Sequence, residues 1–394
     1  MATRNTAGLL LQLIRSGQAV TRAELAAVTG LARSTVSQRV DRLIEHGYVV
    51  EAGEGPSHGG RPPMVLGFDR EAGVVLAADL GATHCRLAVC DLDGEPLAED
   101  TEDLAIALGP DHVLAWVADR FDELLARVGR KPEDVRGIGV GLPGPVEFAA
   151  GRAVNPPIMP GWDGVAVPER LQERFAVPVL VDNDVNIMAL GEYVSVLRDT
   201  AEDVLFVKVG TGIGCGIVAG GRVHRGAQGA AGDIGHIRLA DHAEAMCRCG
   251  NRGCVEALAG GAALARQLTD LGFEARDSRE VVSLVRAGNA AAVRLVREAG
   301  RMLGEVLAGI VNFFNPKVIV IGGDVSEADE QLLAGVREIV YQRSTALATR
   351  HLQIRRSQLG DRAGVYGAAA MVLDEILAPE AVDGALEMEV AVSS

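Results

Sequence analysis

The segment Cys247-Arg248-Cys249-Gly250-Asn251-Arg252-Gly253-Cys254 places three thiols within eight residues. Two glycines inside it let the chain curl around an ion. Three thiolates and one imidazole make a closed tetrahedral set, the usual arrangement of structural zinc. Spacing leaves both His236 and His242 as the fourth ligand. Glu256, two residues past the last thiol, is held near this loop or is a solvated residue in the first turn of the next helix. Cys85, Cys90 and Cys215 fall singly in strand patterns and read as small core residues.

A second group of chemical interest is Asp182-Asn183-Asp184-Val185-Asn186, delivered by the apolar strand Val177–Val181. Ligands of α/β sheets sit beyond the carboxyl ends of strands. Carboxylates accept from sugar hydroxyls, an amide both donates and accepts, and a carboxylate here could also take the proton of a hydroxyl attacking a phosphoryl group. The plainer reading is a capped helix start. Two strand–corner–strand units recur, at Val74–Ala78 with Asp79-Leu80-Gly81-Ala82-Thr83, and at Val204–Val209 with Gly210-Thr211-Gly212-Ile213-Gly214. This is a weak internal duplication. The glycine spacing is not that of a dinucleotide-binding turn, and no helix follows. Such corners either offer backbone N–H groups to phosphate oxygens or are simply tight hairpins.

These sites need elements to carry them. Leu9, Leu10, Leu13 and Ile14 form one helical stripe over residues 5–16. Thr21 and Glu24 form a capping box for a short helix through Val28. After the turn at Thr29-Gly30-Leu31, a third helix buries Val36, Val40, Leu43 and Ile44 and presents Arg33, Ser34, Thr35, Ser37, Gln38 and Arg39. That polar, basic leading face suits a DNA major groove. Tyr48–Val50 and Met64–Leu66 read as wing strands, and Arg61 in their Gly/Pro-rich loop as a minor-groove hook or an ordinary wing tip.

At 394 residues and 48% apolar content, the chain is long enough for two or three domains of about 150 residues. No apolar run reaches the roughly 18 residues of a membrane span. No export leader is read, so a reducing, cytoplasmic compartment is expected. The net charge of −15 argues against nucleic acid only on average. Residues 1–66 hold seven arginines against five acids, a balance of +2, which leaves −17 on the remainder. Contact with phosphates is therefore confined to the N-terminal module.

Together the motifs resemble the ROK family of repressors, open reading frames and sugar kinases. The resemblance rests on C-x-C-G-x-x-G-C-x-E at Cys247–Glu256 and on G-x-x-G-x-x-G-[DE]-x-G-H at Gly226–His236. It covers nearly the whole chain and includes the winged helix of the repressor branch. It implies a two-lobed, actin-like α/β body. Asp79, Gly81 and Thr83 look like the first phosphate loop, Thr211 and Gly212 belong to the second, and Gly322 and Gly323 to a nucleotide loop. Asn183 and Asp184 match the sugar-binding pair, with Asp184 the base in the kinases. By the same resemblance His236 is the fourth zinc ligand and also faces the sugar, while Asp233 and Glu256 contact sugar hydroxyls. Three departures weaken the kinase reading: Asp233 stands where the kinases usually carry Glu, Asp324 where a glycine is common, and Ile158 in Asn155–Trp162 where Asn is common.

The expected organisation is a winged helix-turn-helix at 1–68, a first lobe at 72–184 joined by a helix near 364–377, a second lobe with the zinc loop at 185–363, and a mobile tail at 378–394. The expected function is a sugar- or sugar-phosphate-responsive repressor with structural Zn2+, acting as a homodimer or homotetramer on a palindromic duplex operator. The alternatives are a sugar kinase using Mg2+-ATP, with Asp184 as its base, and a DNA-bound protein whose cleft is vestigial.

Overall fold

The computed structural model describes residues 6–54, 63–328 and 330–392. The N-terminal module holds the helices Ala7–Arg15, Arg22–Thr29 and Arg33–Glu45 and the antiparallel strands Val49–Glu54 and Met64–Phe68. The capping box is formed: the Glu24 N–H donates to Thr21 Oγ1 (3.2 Å) and the Thr21 N–H to Glu24 Oε2 (3.0 Å). Leu10, Leu25, Val36, Val40 and Leu43 are fully buried, as their helical spacing predicts. Arg22 bridges Asp41 on the third helix and Glu51 on the wing, fixing the angle between them.

The body contains two five-stranded sheets of the same design. The first runs in the order Pro96–Glu102, Cys85–Cys90, Val74–Leu80, Val135–Leu142, Val179–Asn183. The second runs Arg222–Val223, Ile213–Ala219, Val204–Val209, Val318–Gly322, Gln353–Arg356. In each, an antiparallel three-strand meander is extended by two parallel strands. The duplication glimpsed in two glycine corners thus extends through both lobes, and the winged helix and two-lobed α/β body are both present.

The helices Asp184–Glu192 and Ala363–Ile376 lie side by side between the sheets. Glycines bring their backbones into contact: a Cβ on Gly367 would stand 1.7 Å from the Ile187 carbonyl oxygen, and one on Gly191 2.1 Å from that of Ala363. The second helix meets the first sheet equally closely at Gly139, where a Cβ would stand 2.1 Å from the Ala368 oxygen. Glu192, wholly buried, accepts from the Ser357 hydroxyl (2.8 Å) and the Gln358 N–H (2.9 Å), tying the last strand's exit to the helix pair.

Where a mobile tail is expected, the structure has a docked helix. Pro379–Val392 is a helix whose Val382 and Leu386 are buried in the cluster that holds Leu10 and Val40. Gly8 N–H donates to Asp383 (2.9 Å), and the Arg42 guanidinium to the Leu386 carbonyl (2.6 Å). An apolar pair at i, i+4 is too short a stripe to read as a helix until a partner surface covers it. Leu386→Ala should therefore lower unfolding stability by about 2–4 kcal/mol in urea titrations, whereas a mobile tail would leave the midpoint unchanged.

Candidate functional site

A cavity of about 690 Å³ opens between the lobes. The structure gathers Asp79, Thr83, Asn183, Asp184, Thr211, Gly212, Asp233, His236, Glu256 and Gly323 onto its wall. Gly81 and Gly322 stand behind the lining. A Cβ on Gly322 would strike the Phe206 ring at 2.4 Å, and one on Gly81 the His84 carbonyl oxygen at 2.8 Å, so packing alone accounts for both. Gly212 has a similar reason: its Cβ would meet Glu256 Oε2 at 2.4 Å. That carboxylate accepts from the Ile213 N–H (3.0 Å), which holds Glu256 toward the cavity rather than in solvent.

Asn183 ends the strand Val179–Asn183 and caps the helix that follows, accepting from the Val185 N–H (3.0 Å) and donating to the Gly144 carbonyl (2.7 Å). The capping and ligand readings thus fall on one residue. Beside it, Asp182 is almost wholly buried and engages Asn186 Nδ2 (2.9 Å) and Arg225 Nε (2.8 Å). Arg225 also lies 3.8 Å from the Phe148 ring centroid, so a loop of the second lobe is pinned to the first.

Asp184 pairs with Lys208 at 2.6 Å. Sequence reasoning overlooked this lysine. Its signal was available: it is one of three lysines in the chain, set inside the apolar strand Val204–Val209 immediately before a glycine corner. Burial opposes its charge, but Asp184 and Asp79 outweigh burial and hold its pKa above the ordinary value. Burial pushes the Asp79 carboxyl up to about 6, with Lys208 pulling the other way.

The donor atoms of His236, Cys247, Cys249 and Cys254 all lie within 4.8 Å of one another. His236 Nδ1 is 3.5 Å from Cys247 Sγ, and Cys249 Sγ 3.8 Å from Cys254 Sγ. His242 is outside the cluster. Gly250 and Gly253, at φ +87° and +77°, make the curl that converges the thiols. The donor set and its compactness suit a tetrahedral thiophilic metal ion. Desolvation pushes the Cys254 thiol up to about 12, so a metal must displace protons to bind. The other imidazole nitrogen, Nε2, lies 3.9 Å from Asp233 Oδ1. One histidine thus links the thiol cluster to the cavity wall.

On the N-terminal module, Arg33, Ser34 and Gln38 are exposed, and Thr35, Ser37 and Arg39 half-buried. The third helix follows Ala32, which gives it no side-chain cap, and has no acid in its first turn, leaving its N-terminal N–H groups and positive dipole end for an external anion. Arg61 lies outside the described residues.

Comparison with known proteins agrees with this geometry. The family model described as the ROK family matches residues 75–375. The chain belongs to the ROK family. Residues 3–59 match a model of the MarR family, in keeping with the winged module. A putative xylose repressor of Caldicellulosiruptor sp. strain Rt8B.4 is 34% identical over 385 residues, covering 94% of this chain and 96% of that one. A solved ROK family transcriptional regulator, a homolog of the E. coli MLC protein, superposes with TM-score 0.80 at 26% identity, over 98% of each chain. A ROK family glucokinase from Streptomyces griseus, solved with glucose and AMPPNP, covers 76% of this chain and 99% of its own, with TM-score 0.65 at 28% identity.

The raised carboxyl gives a pH signature. Between the ordinary value of 3.8 and about 6 the unfolded chain releases a proton that folded Asp79 retains, so this carboxyl's contribution to stability falls across that window and no further above it. Asp79→Asn should gain stability relative to wild type as pH rises through the window and hold that gain above it. Urea unfolding at a series of pH values measures this; a pH-independent difference would refute it.

Proposed function

We propose that the chain is a sugar-responsive, DNA-binding transcriptional repressor, with the effector in the interlobe cavity and the operator on the winged module. The carrying observation is mechanical. One buried cluster joins Leu10 and Val40 of the module, Val75 and Ala77 of the first sheet, Val365 and Ala368 of the central helix, and Leu386 of the terminal helix. The same central helix begins at the cavity, where Gly364 lies so close to Asp79 that a Cβ would stand 1.9 Å from its carboxylate. A shift of one lobe on the other thus reaches the DNA-reading helix through packed side chains. A ligand drives that shift only through its different affinity for the two arrangements.

In this reading the effector's hydroxyls donate to Asp184, Asp233 and Glu256, with Asn183 and His236 completing the grip. The relatives aligned over both module and body are regulators, and the glucokinase aligns with the body alone, which supports regulation over catalysis. Kinase chemistry would ask Asp184 to accept a proton, yet its carboxylate is engaged by Lys208. Two copies would present two recognition helices to a palindromic operator about one or two helical turns in span.

Zinc at His236, Cys247, Cys249 and Cys254 would brace the loop that carries His236 into the cavity, a structural task rather than a chemical one. His236→Ala should lower the zinc content of purified protein, and His242→Ala should leave it at one ion per chain; the reverse pattern would overturn the ligand assignment.

The test of function joins two titrations. Specific operator binding should be weakened by a cognate sugar, or strengthened where the sugar acts as co-repressor, and Asp184→Asn should abolish the response without abolishing DNA binding. Gln38→Ala should cost about 1–3 kcal/mol of operator affinity. Operator affinity indifferent to every sugar, or sustained ATP consumption lost in Asp184→Asn, would overturn the reading.

A further inference from the structure

Arg225 and Asp182 stand behind the cavity wall, on opposite lobes, and the loop that carries Arg225 leads straight to two of the cavity-lining residues. Both ends of that loop are fixed to the strand Ile213–Ala219 of its own lobe. The His224 N–H donates to the Ile217 carbonyl (2.7 Å), and the Gly232 carbonyl accepts from the Cys215 N–H (2.9 Å). Between these anchors the loop crosses to the first lobe. There Gly229 lies against Val146, where a Cβ would stand 2.3 Å from the carbonyl oxygen, so no side chain fits between loop and lobe. Gly229, Ala230, Ala231 and Gly232 line the cavity, and Asp233 and His236 follow directly.

On the first lobe, Asp182 belongs to the strand Val179–Asn183, with its side chain only 3% exposed. Its Oδ1 accepts from the Asn183 N–H (2.7 Å) and from Asn186 Nδ2 (2.9 Å). Its Oδ2 accepts from Arg225 Nε (2.8 Å), its one ion pair among the described residues. A buried carboxylate keeps its charge cheaply only where it is paired and its lone pairs are matched. The counter-charge thus comes from the other lobe, while the same carboxylate fixes the backbone of Asn183 and, one residue on, Asp184. Stacking on Phe148, with 3.8 Å to the ring centroid, sets the plane of the guanidinium. Arg279 also spans the lobes, to Asp103 at 2.8 Å, but both of those side chains are exposed, where such a pair is worth little.

We propose that Arg225 is a positioning residue of the effector site and sets the spacing of its two halves, Asp233 and His236 on the loop against Asn183 and Asp184 on the first lobe. The proposal rests on the reading of the cavity as a sugar site. A sugar gripped from both sides binds only the arrangement in which both sides face it at hydrogen-bonding distance. With the pin in place, that arrangement exists before the sugar arrives. Without it the loop leaves the first lobe, the gripping arrangement becomes a minor one, and apparent affinity falls with its population. Lysine is a poor replacement, since an ammonium pairs with Asp182 as a point charge and has no plane to stack on Phe148.

The test uses full-length protein and isothermal titration with D-xylose, D-glucose and N-acetyl-D-glucosamine, the tightest of the three on wild type being carried to the variants. Arg225→Gln and Asp182→Asn should each weaken it about 10- to 100-fold. The double variant should lose no more than either single change, because both act through one contact. Arg225→Lys and Phe148→Leu, which leave Asp182 a cation to pair with, should fall between these and wild type. Cooperative urea unfolding identifies the folded variants, and a purely structural role would move its midpoint without moving sugar affinity. Hydrogen exchange of the sugar-free protein should quicken in Arg225→Gln at residues 182–187 of the first lobe as well as at 225–236. Wild-type affinity in the folded Arg225 variants, or losses that add in the double variant, overturns the proposal and leaves the sugar site standing. Quickened exchange confined to the loop overturns the link to Asn183 and Asp184. Wild-type silence toward all three sugars brings down the sugar-site reading, and the proposal with it.

Discussion

Backbone contact between the helices Asp184–Glu192 and Ala363–Ile376 is the constraint on which the rest of the molecule depends. Helices normally pack 8–10 Å apart, separated by side chains. Here Gly367 lies against the Ile187 carbonyl and Gly191 against that of Ala363, so no side chain separates them. The first helix starts at the cavity with Asp184 and packs on the second sheet; the second starts beside Asp79 and packs on the first. The pair is both the joint between the lobes and the support of the cavity floor. Close-packed interfaces of this kind shift between discrete arrangements rather than deforming continuously.

The electrostatics of the cleft follow from that geometry. Asp79 comes from the first sheet, Asp184 from the strand-to-helix junction and Lys208 from the second sheet. They are neighbours only because the helix crossing holds the sheets at one spacing. A buried lysine flanked by carboxylates keeps its charge, whereas one alone would tend to lose it. The thiol–imidazole cluster lies along the opposite wall. It holds His236 Nδ1 beside Cys247 Sγ and leaves Nε2 near Asp233, so thiol cluster, imidazole and carboxylate stand in series. Arg225, held by Asp182 and stacked on Phe148, pins the same loop to the first lobe.

The terminal helix couples this body to the DNA-reading module. It continues the central helix by a short turn and packs on the module's first helix, while the Leu386 carbonyl receives the Arg42 guanidinium from the third. The module is therefore seated on the first lobe by shared core rather than hung from a linker. That seating would pass an interlobe movement to the third helix of the module, which a flexible tether would not.

Local patterns were enough to read several features directly. The capping box at Thr21 and Glu24, the stripe Val36–Val40–Leu43, the duplicated glycine corners and the three clustered cysteines were all visible, because each rests on spacing along a single segment. So was the charge contrast between a basic arm and an acidic body. Tertiary structure decided everything that needed two distant segments. It chose His236 over His242 for the thiol cluster, paired Lys208 with Asp184, gave Gly212 and Gly322 packing reasons of their own, and turned the acidic tail into a docked helix. The physical reason is the same each time. Periodicity and caps are properties of neighbours in the chain, whereas a ligand set, an ion pair or a buried face exists only once folding has chosen which remote atoms share a space.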